Sequence, residues 1–327
     1  MKILLSGYYG FDNAGDEAIL SALVIELKAL GHEPTVLSSD PEKTARAHGV
    51  KAVSRTNPIA LLRAILGCDA MFSGGGGLLQ DKTSSRTLTY YLGLIQLALT
   101  LRKRVVIFNQ SIGPLSDEGR KKVARALHKT HNIVRDRGSL ALLETLGVKA
   151  QLGGDPALLL GAGIKLERED NRIIIAPRGG QSGATHKLAE VAHYLEAEGK
   201  KIVLLAFQKD EDSSECQLIA ASCSKAEIVQ VGDPAEALEH IAKAEQVIGV
   251  RLHAVILAAA LGVPFIGISY DPKVQGFCED SGAPSTSTDF DVNDLITRAL
   301  RNDAPDWQRV AEMKARAKES FVRALEF

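Results

Sequence analysis

The stretch VIGVRLHAVILAAALGVPFIGISYDPK, residues 247–273, shows the fold class most clearly. Two short apolar runs rich in Val, Ile and Phe, at 246–249 and 264–268, flank a helical stretch at 252–261. A strand, a helix and a second strand in this order form the unit from which parallel sheets are built. The segment therefore predicts an α/β fold.

The same alternation of apolar strands and helical patterns continues on both sides of this segment. Further strands are predicted at residues 2–6, 33–37, 70–73, 105–109, 132–134, 172–176, 201–206 and 227–229. Further helices are predicted at residues 14–30, 120–129, 186–198, 212–223 and 235–244. A connector at 161–171, which contains glycine and then charged residues, separates the two halves of this pattern.

We therefore predict two Rossmann-like domains that face each other across a cleft, residues 1–165 and residues 166–327. The second domain would include a helical segment after Asp303. A chain of 327 residues accommodates two domains of about 160 residues each.

The charge balance argues against a nucleic-acid partner, because 39 basic and 40 acidic residues leave a net charge of −1. The four cysteines lack the paired spacing of metal ligands and indicate reduced thiols in a cytoplasmic protein. No uninterrupted apolar run reaches the roughly 18 residues that span a membrane. His128 and His131 have no neighbouring set of cysteine or carboxylate partners, so we expect no metal site.

Ligands of such sheets bind beyond the carboxyl ends of the strands, so the loops there are the places to search. The first loop leads into GYYGFDNAGDEAIL, residues 7–20, where Asn13 and Asp16 either cap the following helix or contact a ligand. Tyr8 and Tyr9 in this glycine-rich loop favour the face of a sugar as that ligand.

A second loop, SGGGGLLQD at 73–81, carries consecutive glycines that include Gly74, Gly75 and Gly76. Glycines contribute no side-chain packing, so we expect backbone N–H groups here to face an anionic or polar ligand. No Gly-Lys-Ser/Thr follows, so the loop is not a P-loop.

Two more strand ends in the first domain carry polar residues. Gln110 lies in NQSIGPL, residues 109–115, where Gly-Pro is a turn signal. Arg135 follows the strand at 132–134, and Asp136 is placed to cap the next helix. Arg135 either forms a surface ion pair or faces the cleft.

The second domain carries a cationic set on neighbouring strand ends: Arg251 and His253 after one strand and Lys273 after the next. An isolated buried charge is costly, so these side chains should lie at the helix N-terminus, open to the cleft. An Arg, a His and a Lys together predict a site for a small, multiply charged anion. Arg178, in PRGGQSG at 177–183, is a further candidate.

Six motifs in order resemble the polysaccharide pyruvyl transferase family: GYYGFDNAGDEAIL, SGGGGLLQD, IGPL at 112–115, RDRGS at 135–139, GDPAL at 154–158 and RLHAVILAA at 251–259. The resemblance implies a GT-B-like fold. It also implies transfer of the enolpyruvyl group of phosphoenolpyruvate to a hexose of a cell-wall polysaccharide precursor, which forms a pyruvate ketal and releases phosphate. The sequence NQSIGP at 109–114 departs from the glycine-richer GQGIGP of the family.

The resemblance implies His253 and Arg251 as catalytic residues and Arg135 and Lys273 as donor ligands, with Arg137 as an alternative to Arg135. Arg178 is a further candidate donor ligand from its position after a strand, not from the resemblance. The first domain would bind the sugar acceptor, which in this family is commonly lipid-linked, and the second would bind the donor. Phosphoenolpyruvate would be the donor substrate, without a cofactor or metal. His253 would protonate the methylene carbon of the donor, since imidazole titrates near neutrality.

The apolar segment LTYYLGLIQLALTL at 88–101, followed by Arg102, Lys103 and Arg104, allows two interpretations. It is either a buried helix whose basic end suits its dipole, or a surface that rests on the inner face of the membrane. Two other functions stay open for the whole chain: a nucleotide-sugar glycosyltransferase of the GT-B fold, and a sugar- or anion-binding protein without catalysis.

Overall fold

The computed structural model describes residues 1–82, 85–165 and 168–326. The chain divides into two compact units. Unit 1 comprises Met1–Phe11, Ile19–Pro156 and Met313–Phe327, and unit 2 comprises Asp12–Ala18 and Ala157–Glu312. Among the described residues, no helix combines the length and apolarity needed to cross a membrane.

Unit 1 is built on a seven-stranded sheet in which each neighbouring pair is parallel. Its strands are β1 (Lys2–Ser6), β2 (Glu33–Ser38), β3 (Lys51–Ser54), β4 (Ala70–Gly74), β5 (Arg104–Gln110), β6 (His131–Val134) and β7 (Gln151–Leu152). The order across the sheet is β3-β2-β1-β4-β5-β6-β7. This order is that of a Rossmann sheet with one added edge strand.

The helices that connect these strands are α1 (Ala14–Ala29), α2 (Pro41–His48), α3 (Pro58–Gly67), α4 (Ser85–Thr100), α5 (Asp117–Leu127) and α6 (Arg137–Thr145). Polar side chains after the strands cap several of them, which satisfies backbone N–H groups at the helix start. Asp136, for example, accepts a hydrogen bond from the Ser139 backbone at 2.7 Å, as the sequence predicts.

Unit 2 is built on a six-stranded parallel sheet with strands β8 (Arg172–Ala176), β9 (Lys201–Ala206), β10 (Glu227–Gln230), β11 (Gln246–Gly249), β12 (Phe265–Ser269) and β13 (Ser285–Ser287). A short 3₁₀ helix (Pro156–Leu159) precedes it at the junction of the two units. Its α-helices are α7 (Ser182–Ala197), α8 (Lys209–Ala220), α9 (Pro234–Ala242), α10 (Leu252–Leu261), α11 (Pro272–Ser281) and α12 (Val292–Leu300). The strand order β10-β9-β8-β11-β12-β13 repeats the Rossmann pattern.

The strands and helices predicted from periodicity are confirmed, with ends that differ by a few residues. Three strands were not predicted, namely β3, β7 and β13, and each is the last strand at an edge of its sheet. These three strands are short and only partly buried, so they lack the apolar pattern that identifies a central strand. The fourth edge strand, β10, was predicted because it carries the apolar pair Ile228 and Val229.

Two segments depart from the predicted division at residue 165: Asp12–Ala18 groups with unit 2, and Met313–Phe327 groups with unit 1. The C-terminal helix α13 (Trp307–Leu325) was assigned to the second domain, but its residues from Met313 onward pack with unit 1. Phe321 lies edge-on against Phe108 of β5, with ring centroids 4.8 Å apart, and Lys318 forms an ion pair with Glu26 of α1. A Cβ on Gly154 would lie 2.7 Å from the Met313 carbonyl oxygen, so glycine permits this close approach.

The apolar helix α4 packs its hydrophobic face into the core of unit 1. Its buried side chains are Leu88, Tyr91, Leu94, Ile95 and Ala98. Its exposed positions are Arg86, Thr89, Gly93, Gln96 and Thr100, which carry no apolar surface of note. Of the two interpretations of this segment, the buried helix is therefore the one that describes α4.

Candidate functional site

In unit 2 the order of strands reverses between β8 and β11, because the chain adds β9 and β10 on one side of β8 and then β11 on the other. Ligands of open α/β sheets bind at such a switch point, beyond the carboxyl ends of the strands. Arg178 follows β8, and Arg251 and His253 follow β11. The predicted cationic residues of this unit therefore lie at its switch point.

Arg251 is buried and forms ion pairs with two acidic residues of α8. Its Nε lies 2.9 Å from Asp212 Oδ2 and its Nη2 lies 2.6 Å from Asp212 Oδ1, while Nη2 also lies 2.8 Å from Glu211 Oε2. Burial alone would lower the pKa of Arg251, but the hydrogen bonds and negative charge of Asp212 outweigh it and raise the pKa. Arg251 is thus held rigidly, with two of its nitrogens already engaged by carboxylates.

Asp212 is fully buried and joins three loops at the switch point. Besides Arg251 it accepts hydrogen bonds from the backbone N–H groups of Gly179 at 3.1 Å and Gln208 at 3.0 Å. The loops after β8, β9 and β11 are therefore tied to one carboxylate. Sequence reasoning missed this residue, and its only local signal is an acidic first turn in α8.

Glu211 lies between two arginines. Its Oε2 is 2.8 Å from Nη2 of Arg251 and 3.9 Å from Nη2 of Arg178, and its side chain is 44% exposed. Arg178 also lies over the ring of Tyr270, 4.7 Å from the centroid. Burial raises the pKa of Tyr270, although Arg178 opposes the shift, so the phenol keeps its proton and can donate a hydrogen bond. Two guanidinium groups thus contact the same oxygen of one half-exposed carboxylate. A ligand carboxylate or phosphate can be bound by the same kind of paired contact.

His253 is half-buried in the first turn of α10, and its Nε2 atom is buried. The segment Asp12–Ala18, which groups with unit 2, packs against it. A Cβ on Gly15 would lie 2.1 Å from His253 Nδ1, so any larger residue at position 15 would displace the imidazole. Glycine at position 15 is therefore required by close packing against His253, a predicted catalytic residue.

Asn13 caps α1: its Oδ1 accepts hydrogen bonds from the backbone N–H groups of Gly15 at 3.0 Å and Asp16 at 3.2 Å. Its Nδ2 donates to Gln208 Oε1 at 3.3 Å, and the Ala14 backbone N–H donates to the Phe207 carbonyl at 3.1 Å. The capping alternative is therefore confirmed for Asn13. Asp16 lies half-buried in the same first turn, where its charge suits the helix dipole.

Lys273 lies one strand further along the same edge, after β12. It is the second residue of α11, is half-buried, and its backbone N–H donates to the capping carboxylate of Asp271 at 2.9 Å. Unit 2 therefore carries Arg178, Arg251, His253 and Lys273 on the ends of three adjacent strands.

In unit 1 the glycine-rich loop after β4 and the beginning of the loop after β1 lie at the switch point between these two strands. Gly74, Gly75 and Gly76 are buried, and a Cβ on Gly75, whose φ is +72°, would lie 2.2 Å from Ile19 Cγ2. The Gly75 N–H donates to the Phe108 carbonyl at 3.0 Å. The expectation that this loop points its N–H groups at a ligand is therefore wrong for Gly75, where close packing requires the glycine.

The two tyrosines of the first loop differ in their surroundings. Tyr9 is buried and its hydroxyl donates to the Gly74 carbonyl at 2.7 Å, so it does not present a face to a sugar. Tyr8 is half-buried and stacks on Phe11, with ring centroids 4.1 Å apart.

Arg135 is buried at the end of β6 and is not a surface ion pair. Its Nη1 lies 2.6 Å from Asp155 Oδ2, and its Nε donates to Ser111 Oγ at 2.7 Å. Gln110, on the neighbouring strand β5, is also buried, and its Nε2 donates to Ser73 Oγ at 2.8 Å. Arg137, the alternative donor ligand, is exposed at the first position of α6.

The departure NQSIGP has a structural explanation at two positions. Asn109, which replaces a glycine of the family pattern, has φ +49°, a left-handed conformation that asparagine tolerates better than most residues. Ser111, which also replaces a glycine, donates to Asp136 Oδ2 at 2.6 Å and accepts from Arg135. Asn109 thus adopts a conformation that glycine also favours, while Ser111 adds a contact to Arg135.

The described part of the chain groups no three His, Cys, Asp or Glu side chains as ligands of a metal ion would be grouped. His128 and His131 lie at the opposite, amino end of β6. The sequence-predicted residues fall into one group in unit 1 (Gln110 and Arg135 with Gly74, Gly75 and Gly76) and one in unit 2, which includes Asn13 and Asp16. The predicted convergence of Arg135 with Arg251 and Lys273 joins residues of two units and stays a prediction.

The profile of the polysaccharide pyruvyl transferase family matches residues 13–272. This range covers most of the chain, so the chain belongs to that family and is a transferase by family. No curated protein sequence matches it at a significant level.

Solved structures confirm the fold. The UDP-GlcNAc 2-epimerase of Methanocaldococcus jannaschii, in complex with UDP-GlcNAc and UDP, superposes with a TM-score of 0.64 at 14% identity, over 100% of this chain and 99% of its own. The UDP-GlcNAc 2-epimerase of Neisseria meningitidis, bound to UDP-GlcNAc, superposes with a TM-score of 0.62 at 11% identity, and the match covers 99% of each chain. Anabaena Alr3699/HepE, in complex with UDP and glucose, superposes with a TM-score of 0.63 at 12% identity, and the match covers 100% of this chain and 99% of its own. At these identities the likeness shows an α/β fold of the GT-B type and nothing of the substrate.

Proposed function

We propose that this chain transfers the enolpyruvyl group of phosphoenolpyruvate to two hydroxyl groups of a hexose in a cell-wall polysaccharide precursor. The product is a cyclic pyruvate ketal, and phosphate is released. Family membership supports the reaction class. The observation that supports the proposal is the pair Arg178 and Arg251, which both contact the carboxylate of Glu211 at the switch point of unit 2, with His253 two residues after Arg251 in the chain.

The donor is a small molecule with a carboxylate and a phosphate, and both groups are matched by guanidinium and ammonium donors. Arg178, Arg251 and Lys273 supply these donors in unit 2, and Arg135 is proposed as a further donor ligand on the family pattern. Two of these cations, Arg135 and Arg251, are paired with buried aspartates. Their role is therefore oriented hydrogen bonding more than net positive charge.

The proposed mechanism assigns the proton transfer to His253. As an imidazolium it would donate a proton to the methylene carbon of the donor, which converts the methylene to the methyl of the ketal and leaves positive charge at the adjacent carbon. One sugar hydroxyl adds to that carbon, the C–O bond to phosphate breaks, and the second hydroxyl then attacks. The two sugar hydroxyl groups release two protons. One replaces the proton that His253 donated to carbon, and the other is carried by the released phosphate.

The proposal includes no cofactor or metal, and it places the acceptor, a sugar that is lipid-linked in many family members, on the side of unit 1. The protein is proposed to act in the cytoplasm, where both phosphoenolpyruvate and reduced thiols are available.

The test is phosphate release from phosphoenolpyruvate with a panel of hexose-containing acceptors. We expect release that depends on both enzyme and acceptor, with incorporation of pyruvate into the sugar detected by mass spectrometry. A thermal-shift comparison of phosphoenolpyruvate with UDP-GlcNAc separates the alternatives, because a ligand stabilises only the folded state that binds it. Stabilisation by UDP-GlcNAc alone would assign the chain to nucleotide-sugar chemistry, and ligand binding without turnover on any acceptor would favour a binding protein.

A further inference from the structure

The outward face of α3 carries three exposed aliphatic side chains. Ile59, Leu62 and Leu66 are 64%, 42% and 52% exposed. They are three and four residues apart, so they form one continuous stripe along the helix. The opposite face of α3 packs Ile65 into the core of unit 1, with Leu61 and Ala64 against it. The stripe is therefore additional to the face that folds the helix into the protein, and stability of the fold does not account for it.

Basic residues border this stripe. Arg63 is exposed on α3 beside it, and on the adjacent face of the helix a groove that the stripe residues do not line contains Arg63 together with Lys2 and Lys51. Lys103 lies at the C-terminal end of α3, where its Nζ donates to the carbonyl oxygens of Leu66 and Cys68, each at 2.8 Å. The exposed Arg102 precedes it in the chain.

Acidic residues are fewer in the same neighbourhood. Glu33 lines the groove, and Asp69 accepts a hydrogen bond from the Lys2 backbone N–H at 2.7 Å. The surface around the stripe thus has an excess of positive charge, whereas the chain as a whole has a net charge of −1. This local excess selects a negatively charged partner.

We propose that this face of α3, defined by Ile59, Leu62 and Leu66 with their basic border, docks on an anionic lipid bilayer. Aliphatic side chains flanked by Lys and Arg are the composition of helices that lie in a membrane interface. A second copy of this chain fits less well, because a twofold contact through the stripe would bring each basic border against its own copy. Three side chains insert only shallowly, so the association is reversible and sensitive to salt. The proposal is independent of the reaction proposed above.

The experiment is flotation of the full-length protein with vesicles of phosphatidylcholine, alone or mixed with phosphatidylglycerol, at low and high salt. At low salt we expect the fraction of wild-type protein that floats with the mixed vesicles to be about tenfold or more above the fraction that floats with neutral vesicles. This preference should be lost at high salt. The triple variant Ile59→Gln/Leu62→Gln/Leu66→Gln should lose binding to the mixed vesicles. The double variant Lys51→Gln/Arg63→Gln should lose most of the preference for mixed over neutral vesicles, because it removes two of the five cations around the stripe.

A matched control removes three exposed aliphatic side chains elsewhere: Ile25→Gln/Leu30→Gln/Leu300→Gln, at positions 56%, 42% and 42% exposed. It should float like the wild type, and circular dichroism and thermal melting establish that each variant is folded. Absence of wild-type flotation, flotation of the α3 triple variant at the wild-type level, or equal loss in the control would each overturn the proposal. A further outcome would also overturn it. If the wild type sediments as a dimer and binds no vesicles, and the α3 triple variant sediments as a monomer, then the face joins two copies of the chain.

Discussion

The guanidinium of Arg251 and the carboxylate of Asp212 form a two-point ion pair, with Nε 2.9 Å from Oδ2 and Nη2 2.6 Å from Oδ1. The Asp212 side chain is fully buried, and it also accepts two backbone N–H groups. Such a planar, paired geometry fixes the orientation of the guanidinium. Arg251 is therefore held in one orientation, and the ion pair organises three loops at the switch point of unit 2.

Removing the buried carboxylate should unfold or strongly destabilise unit 2. We expect Asp212→Asn to lower the free energy of unfolding by about 3–5 kcal/mol, because it leaves Arg251 buried without its main counter-charge. Urea denaturation followed by circular dichroism measures this. Glu211→Gln is the matched control, since its half-exposed carboxylate should contribute much less. A loss below about 1 kcal/mol for Asp212→Asn, the range of exposed ion pairs, would contradict the organising role.

Neutralising Glu211 should strengthen donor binding. Its carboxylate lies 2.8 Å from Arg251 and 3.9 Å from Arg178, so it competes with a ligand anion for both guanidinium groups. We expect Glu211→Gln to lower the Kd for phosphoenolpyruvate about two- to fivefold, as is usual for partly exposed charges. Isothermal titration calorimetry is the measurement. Asp210→Asn removes the same charge one residue away and should change little, and weaker binding by Glu211→Gln would show that the carboxylate helps to build the site.

The imidazole of His253 should be needed for turnover and not for donor binding. We expect His253→Ala to reduce phosphate release by about 100-fold or more while phosphoenolpyruvate still binds, since it removes the proposed proton donor. Turnover and calorimetry are measured on the same preparation, with His128→Ala in unit 1 as the control. Near-normal turnover in a folded His253→Ala protein would falsify the assignment.

The left-handed residue Asn109 should be replaceable by glycine. Its φ is +49°, and its buried amide atoms have no hydrogen-bond partner among the described protein atoms. Because an unsatisfied buried polar group costs about 1–3 kcal/mol, Asn109→Gly should leave the free energy of unfolding unchanged or raise it. Asn109→Val should lower it, since β-branched residues disfavour this conformation. Equilibrium unfolding in urea decides, and a clear loss in the glycine variant would mean that the amide binds an internal water.

The cysteines should be poorly reactive in the native protein. Burial raises the pKa of Cys216 and of Cys278 to about 12, and it also raises the pKa of Cys68 and Cys223. The thiolate is the reactive form, so a higher pKa leaves less of it near neutral pH. We expect a thiol reagent at pH 8 to modify only the partly exposed Cys223 at a measurable rate, and all four after denaturation. Rapid modification of Cys216 or Cys278 in the native state would show that unit 2 opens.

By itself the sequence determined the fold class, the central strands and the positions of the cationic residues at strand ends. These features are local: apolar runs alternate with helical patterns, and a residue that follows a strand lies at the carboxyl edge of the sheet wherever the strand is placed. The same reasoning placed Arg178, Arg251, His253 and Lys273 at one edge of one sheet. It could not find β3, β7 and β13, because edge strands carry little of the burial that marks a strand in sequence.

The tertiary structure alone decided which charges are paired and what the glycines pack against. Asp212 lies 39 residues before Arg251 in the chain, so nothing in either local sequence indicates their ion pair. Likewise, Gly75 is explained by Ile19, and Gly15 by His253, at distances that no sequence spacing encodes. The physical reason is that charge neutralisation and close packing depend on contacts between residues far apart in the chain, whereas periodicity reports only on neighbours along it.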